Sequence, residues 1–559
     1  ESPRPLSGGE WQNQPSPGVR PRKFYPFGRS LCIFRIPFLQ DDRFCRFFVA
    51  MFRFCFLILM CMALSWRNLP GQSAALPLHA PGQWMAERFD VLSGGRTSLH
   101  TEIKGYERKK LFDLAMGLDT TSKEWSKRDQ ADILYLLNDN NEWLPPDHPA
   151  YRRTRRPAFK TFYKTPANFF EVNTAHFSLR ANPMLHFQAG KQQGDSALLF
   201  INQRGLELRA TVDQKVFFYT NLVETQARFP DYVRQRTDEF QALPGANAYK
   251  RYVPRGIDLS NAYDFHVANA HFGVHISKHV SAQIGHGTQF IGNGYRSLLL
   301  SDAGPPIFYL KLNTEIWKFH YQNLFMELSP QSANSTPGDS ILQKKYMAAH
   351  YLNFRVTPRL AFGLYEAVVF NRSRQFEWQY LNPVILYRSV EAALGSPDNV
   401  LIGLNGRWDV LRRVRLYGQL MLDEFLFSAL VKPEDRGWWG NKYGVQAGAH
   451  YINALDIDHL DVQAEWNYVR PYTYSHGDSL NSYTHYRQPL AHPLWANFKE
   501  VLVLVRYQPF LRWTITGRFL HANMGENTAR ENWGANPLLG YTSRVADYGN
   551  FTGQGVAGR

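Results

Sequence analysis

The chain has 559 residues, among them 39 Phe, 29 Tyr and 14 Trp, with 63 Lys+Arg against 48 Asp+Glu and only 4 Cys. A mean hydropathy of -0.38, with no run of eighteen apolar residues beyond position 70, excludes a helical multi-span membrane protein. A transmembrane β-barrel stays allowed, because strands that alternate lipid-facing and lumen-facing residues average to mild hydrophilicity.

Residues 1–50 carry no periodic pattern and precede Met51, and they are read as an upstream, non-native segment without a fold. Residues 51–73 read as a signal peptide: Met51-Phe52-Arg53, an apolar stretch from Phe54 to Trp66, then Gly71 and Ser73 as small residues ahead of a cut before Ala74. Cys32, Cys45, Cys55 and Cys61 all precede residue 62, so the mature part has no disulfide, thiolate metal site or cysteine nucleophile. Removing residues 1–73 leaves a modest net charge of +9, with one cluster at Arg152, Arg153, Arg155 and Arg156. Nucleic acid demands denser basic patches, and the cluster is read as a solvated junction between domains.

Residues 74–156 are helical or irregular. Ser126 with Asp129 predicts a capped helix start, Ile133, Leu134, Leu136 and Leu137 supply an apolar face, and Asn138 to Asn141 stop it. Pro145, Pro146, Pro149 and Pro157 mark a linker. From there through residue 559 the period is two. Leu206, Leu208, Ala210 and Val212 alternate with Glu207, Arg209, Thr211 and Asp213; Val462, Ala464, Trp466 and Tyr468 alternate with Gln463, Glu465 and Asn467.

Alternation alone also suits a soluble sandwich. Ionisable groups on the polar face (Glu366, Asp423, Glu465, Glu500) suit a water-filled lumen, and Trp317, Trp408, Trp466, Tyr468 and Trp513 suit interfacial girdles. The expected fold is therefore all-β: a transmembrane antiparallel β-barrel of roughly 14–18 strands when complete, with a small N-terminal helical domain. The last alternating segment is Arg512 to Leu520, so one or more closing strands are expected beyond the sequence given.

Five ordered blocks carry a family resemblance: His286 to Asp302, Tyr380 to Val384, Gly437 to Lys442, Glu465 to His476 and Leu490 to Phe498. Through them the chain resembles the Wzi capsule-assembly family as found in Bacteroidota, and within it the RemB-like gliding-motility branch. The resemblance implies an outer-membrane barrel with residues 74–156 as a periplasm-side helical segment, acting in attachment or handling of surface polysaccharide, or in surface motility. Its partners would be outer-membrane lipid, surface polysaccharide and other outer-membrane proteins. It transfers no catalytic residue. Gly292, Gly294, Arg296, Asp302 and His492 are its lumenal and turn positions, and Trp495 stands where the family has Gly.

Gly285, Gly287, Gly292 and Gly294 lack the spacing and the following Lys-Ser/Thr of a phosphate loop and read as a turn or constriction needing positive φ, in which Arg296 and Asp302 could pair. His271 and His275 stand two pleats apart, roughly 13 Å, too far to share an ion, and His279 falls in a turn. Trp438, Trp439, Asn441, Lys442, Arg470, Tyr472, Tyr474, His476, His485 and Tyr486 carry glycan-binding chemistry: rings that stack on sugar C–H faces and polar groups that bond hydroxyls or carboxylates. The same types fill barrel girdles and loop ends, so both readings stand. No Gly-x-Ser-x-Gly or other hydrolase signature appears, and neither an enzyme, a metal nor a cofactor is expected. The sequence reading is thus a polysaccharide-binding or -organising barrel, ahead of a non-catalytic scaffold subunit of an assembly or motility complex, with an outer-membrane enzyme third.

Overall fold

The computed structural model describes residues 73–553 apart from 119–124, 214, 253–260, 337, 339, 373–374, 396–397, 433–434 and 529. The upstream segment and the signal peptide through Gln72 lie outside the described residues. Three helices come first: α1 (Pro81–Leu92), α2 (Arg108–Gly117) and α3 (Lys127–Asp139). Pro81 starts α1 where its missing N–H costs nothing. Ser126 and Asp129 close the capping box of α3 that the sequence predicts. Phe89, Leu111, Ile133, Leu136 and Leu137 form the core of this helical unit.

The strands follow. They are β1 (Phe170–Asn173), β2 (Phe177–Gly190), β3 (Leu199–Val212), β4 (Val216–Arg228), β5 (Lys250–Tyr252), β6 (Ala262–His275) and β7 (Val280–Gly287). Next come β8 (Ile307–Ile316), β9 (Phe319–Leu328), β10 (Lys345–Thr357), β11 (Leu360–Phe370), β12 (Asn399–Leu411) and β13 (Val414–Glu424). The last are β14 (Lys442–Tyr451), β15 (Leu460–Val469), β16 (Thr484–His485), β17 (Gln488–Pro489), β18 (Phe498–Phe510) and β19 (Trp513–Met524). Helix α4 (Asp231–Phe240) lies between β4 and β5, and α5 (Tyr387–Leu394) between β11 and β12. All but β16 and β17 belong to one antiparallel sheet of 17 strands, and neighbours in sequence pair as a meander. One end of the sheet carries short turns, such as Trp317-Lys318 and Leu511-Arg512. The other end carries long connections, including 288–306, 371–398 and 470–497.

The helical unit touches one face of this sheet almost throughout its width. Arg180 of β2 donates to Asn141 at 3.0 Å, Arg209 of β3 meets Glu142 at 2.7 Å, and Arg355 of β10 donates to the Thr97 carbonyl at 2.6 Å. Arg407 of β12 meets Asp90 at 3.0 Å, and Arg128 of α3 donates to the Gln508 carbonyl of β18. A sheet that meets one small unit from its second strand to its eighteenth must curl around it. The result is an antiparallel β-barrel with the helices inside its short-turn end. At the other end Leu298, Leu299, Tyr474, Tyr483 and Leu490 of the long connections fold inward onto Tyr309, Met347, Tyr365 and Leu401 of the wall.

The outer face is apolar and exposed: Leu206, Leu222, Phe272, Leu310, Phe362, Leu404, Val501 and Phe519 all project from it. This is the surface that a membrane barrel turns to lipid. Val462 and Ala464 share it, while Glu465 turns inward, where the Tyr417 hydroxyl donates to it at 3.0 Å.

Glu366 corrects the sequence reading. It does not face the lumen with Asp423, Glu465 and Glu500, because it shares parity with the outward Phe362 and Leu364 of β11. His350 and Asn323 lie beside it in the same cross-strand row. The connection after β11 folds back over this polar row: the Arg388 N–H donates to Glu366 at 3.0 Å, and the Tyr387 ring lies 4.0 Å from His350. Tyr380, Tyr387 and Val390 complete an apolar cover with Phe325, Val368 and Phe370.

Two predictions follow from these contacts. Arg407 and Arg415 both reach Asp90 and Asp409 in a fully buried network, with Glu102 2.7 Å from Arg407. Burial opposes charge on Asp90 and Glu102, yet the two guanidinium groups hold both carboxyls below their ordinary range. Arg407→Ala should cost about 3–5 kcal/mol at neutral pH, because it strands buried carboxylates. A depressed folded pKa gives stabilisation that is complete above the ordinary value of about 4 and disappears as pH falls through the folded value. Wild type and variant should therefore converge in acid, and a gap in heat stability that persists unchanged there would refute the role of these carboxylates. Replacing residues 378–394 by a short Gly-Ser turn would put Glu366 and His350 against lipid. It should lower the temperature at which heat-modifiable migration is lost, with recovery when Glu366→Leu and His350→Leu are added.

Candidate functional site

Eight of the ten glycan-binding candidates gather at the long-connection end, on the segment leading into β14 and the connection that leaves β15. Their polar ends are already engaged within the protein. Lys442 Nζ lies 3.0 Å from Asp423 and 3.3 Å from Glu424. Arg470 donates to the carbonyls of Asn441 and Trp438 at 2.9 and 3.1 Å, and Asn441 Oδ1 accepts from the Leu426 N–H at 2.7 Å. The Tyr472 and Tyr474 hydroxyls donate to the carbonyls of Asn532 and Leu298. Burial pushes the Tyr472 phenol up to about 12, and burial with Lys442 nearby holds His476 below its ordinary value.

What this cluster turns outward is aromatic. Trp438 and Trp439, each partly exposed, have ring centroids 5.9 Å apart; Tyr541 lies 4.6 Å from Trp439, and the Arg544 guanidinium lies 4.4 Å over it. Buried Lys442 sits behind, 4.8 Å from the Tyr541 ring. Tyr541 and Arg544 were not legible as members, since they come from a segment more than a hundred residues further along the chain. His485 and Tyr486 bond elsewhere: His485 Nδ1 accepts from the Ser329 N–H at 3.0 Å, and the Tyr486 N–H donates to the Ser329 carbonyl.

Gly292, Gly294, Arg296 and Asp302 lie on the 288–306 connection, which crosses the lumen, and His492 lies on the 470–497 connection. Gly292 has φ 135° and donates its N–H to the Glu102 carbonyl of the helical unit at 2.7 Å. A Cβ on Gly294 would fall 2.6 Å from both the Arg296 carbonyl oxygen and Glu465 Oε2, so only glycine lets the loop pass the wall this closely. Glu465 accepts from the Tyr295 and Arg296 N–H groups at 2.8 and 3.2 Å. Arg296 and Asp302 do not pair with each other. Arg296 reaches Glu500 at 3.2 Å, and His492 holds the other Glu500 oxygen at 2.9 Å, while Asp302 bonds His79 of the helical unit. Between the two positions the chain passes from the β15–β18 wall to the helices, and each charge finds its partner there. Its hydrogen bond to Asp302 raises the pKa of His79. Trp495 takes φ 68°, a glycine-like conformation, and packs 4.7 Å from Phe240 of α4.

Among the described residues, two of the cavities lie between the helices and the lumen-crossing loops. The larger, about 320 Å³, is lined by Tyr219, Asn221, Asn269, Gln283, Gln289, Tyr309 and Lys311. The smaller, about 130 Å³, is lined by Trp84, Tyr295, His450 and Arg506, and both are bounded by His79, Lys104 and Asp302. Asn221 stands directly opposite Asn269 across β4–β6, and Gln283 opposite Lys311 across β7–β8. Each of these residues has lumenal parity in the sequence, but only the register assembles them.

Histidines 271 and 279 have separate partners, the Ala75 N–H and the Glu315 carbonyl. Asp129, Asp458 and His459 come within metal-ligand reach of one another, but Arg88 and Arg128 already sit 2.9 and 3.0 Å from the two carboxylates.

No protein-family model and no curated protein matches the chain. Among solved structures it is similar to Wzi, an outer-membrane protein involved in group 1 capsule assembly in Escherichia coli and a carbohydrate-binding β-barrel, with 13% identity and a TM-score of 0.47 over 82% of this chain and 87% of that one. It is also similar to a mutant Rh. blastica porin (9% identity, TM-score 0.30, 62% of this chain and 94% of that one). A third is Pseudomonas aeruginosa OccK9, or OpdG (13% identity, TM-score 0.30, 62% and 93%).

The lumen-crossing loop yields a direct test. Gly294→Ala should cost about 1–3 kcal/mol through overpacking, whereas Gly117→Ala at the end of α2, where a Cβ meets nothing within 4 Å, should be neutral or mildly stabilising. Equal heat stability of the two variants would remove the steric reason for Gly294.

Proposed function

We propose that this protein is an outer-membrane β-barrel that binds surface polysaccharide, with its short turns and helical unit toward the periplasm and its long connections outward. The observation that carries the reading is the aromatic shelf of Trp438, Trp439 and Tyr541, partly exposed at the long-connection end and flanked by Arg544. Flat rings at this spacing offer successive stacking faces to a sugar chain, and the guanidinium supplies a donor fork for hydroxyls or carboxylates. The exposed apolar wall and the short turns at one end support membrane insertion. A lumen filled by helices and loops supports a binding or organising role over that of an open pore. The finer placement in the RemB-like branch, with a link to gliding motility, rests on the ordered sequence blocks.

A second reading, a non-catalytic accessory subunit of an outer-membrane assembly or motility complex, is favoured by the exposed apolar run Phe425, Leu426, Phe427, Leu430 and Val431 beyond β13.

Trp438→Ala with Trp439→Ala should abolish retention of the detergent-purified protein on native capsular or exopolysaccharide without lowering heat stability. Arg470 bonds the Trp438 backbone carbonyl, which the substitution leaves in place. Unchanged retention would return both tryptophans to the interfacial belt.

A further inference from the structure

Lys311 lines the larger lumenal chamber and is only 7% exposed. Its ammonium makes one long hydrogen bond, 3.4 Å to Gln289 Oε1, and stands 5.5 Å from the Tyr309 ring. Among the described residues it forms no ion pair with a carboxylate. The other charges around the chamber are spoken for: Lys104 is paired with Glu87, and Asp302 with His79. Glu107, whose field reaches Lys311, lies 3.9 Å from Lys110. All three histidines of the lining are engaged, His79 by Asp302, His271 by the Ala75 N–H and His286 by the Ala268 carbonyl. The chamber therefore presents one uncompensated positive charge among neutral amides and phenols.

A buried ammonium is costly unless an anion and further hydrogen bonds compensate it. Arg180, Arg209, Arg407, Arg415 and Lys442 each have a carboxylate at ion-pair distance, and Arg470 donates to two carbonyls; Lys311 has a chamber. The remaining lining has the donors and acceptors that hydroxyls require: Asn221, Asn269, Gln283 and Gln289 offer amides, and Tyr219 and Tyr309 offer phenols. At about 320 Å³ the space falls in the range of small-ligand sites. We propose that this chamber is a binding site for an acidic sugar residue, a hexuronate, whose carboxylate pairs with Lys311 while its hydroxyls bond the Asn and Gln side chains. The site is distinct from the aromatic shelf and stands whether or not the shelf binds polymer.

The test uses the whole protein purified in detergent, titrated calorimetrically with glucuronate, glucose and inorganic phosphate. Glucuronate should bind saturably and more tightly than glucose. Lys311→Met should weaken glucuronate by about tenfold or more, the size of one hydrogen bond to a charged group, and leave glucose unchanged. Lys311→Arg should keep the preference for the acid, which guards against a folding defect in the Met variant, as does unaltered heat-modifiable migration. Asn269→Leu should weaken both sugars. Equal binding of glucuronate and glucose, binding of neither, or a glucuronate affinity untouched by Lys311→Met would overturn the proposal and leave the ammonium hydrated. Phosphate binding as tightly as glucuronate would also overturn it, since the site would then read charge alone. Loss of polymer retention in the Trp438/Trp439 variant with glucuronate binding intact would show the two sites to be separate.

Discussion

The arrangement depends on buried ion pairs between the helical unit and the barrel wall. Arg407 and Arg415 on β12 and β13 grip Asp90 of α1, Arg88 of α1 reaches Asp129 and Asp461, and Arg209 on β3 grips Glu142. Each ion has lost its water, so each needs its partner in place. Such contacts carry little net stability against an apolar alternative but tolerate few other placements of the helices. They make the inside of the barrel a fixed polar scaffold.

That scaffold also explains the loop that crosses the lumen. With the helices fixed from one end, the 288–306 connection has Glu102 to bond from below and Glu465, Gln419 and Glu500 to bond from the sides. Its glycines permit the close approach, and Leu298, Leu299 and Leu300 then seal the upper lumen with tyrosines of the wall. The chambers are the space left between these two fixed fillings. Their polarity follows from strand parity, because Asn221, Asn269, Gln283, Lys311 and Gln463 are inward positions of their strands, with Met184 and Leu504 as apolar exceptions.

The outside of the barrel carries a compensating device of the same kind. Asn323, His350 and Glu366 would be unsuited to hydrocarbon, and the 371–398 connection covers them with aromatic side chains. A polar row on the lipid side is thereby converted into a small local core, at the cost of a long connection folded outward.

The sequence by itself determined the all-β class, the switch from helical to two-residue period, the capped helix at Ser126, and the alternation of strands such as β3 and β15. These are local properties: cap chemistry and side-chain parity need no distant partner. It also marked Gly292, Gly294 and Trp495 as special backbone positions. Only the tertiary structure decided which charges pair. Arg296 chose Glu500 over Asp302, and Glu366 fell outside because its parity counts from the outward Phe362 and Leu364, which the charge itself could not reveal. Tyr541 and Arg544 joined the tryptophans, and Asn221, Asn269, Gln283 and Lys311 met around one chamber, because strand register and loop return bring together residues separated by tens to hundreds of positions. Pairing at that range is set by barrel closure and by the desolvation of each charge, and neither is written in any local pattern.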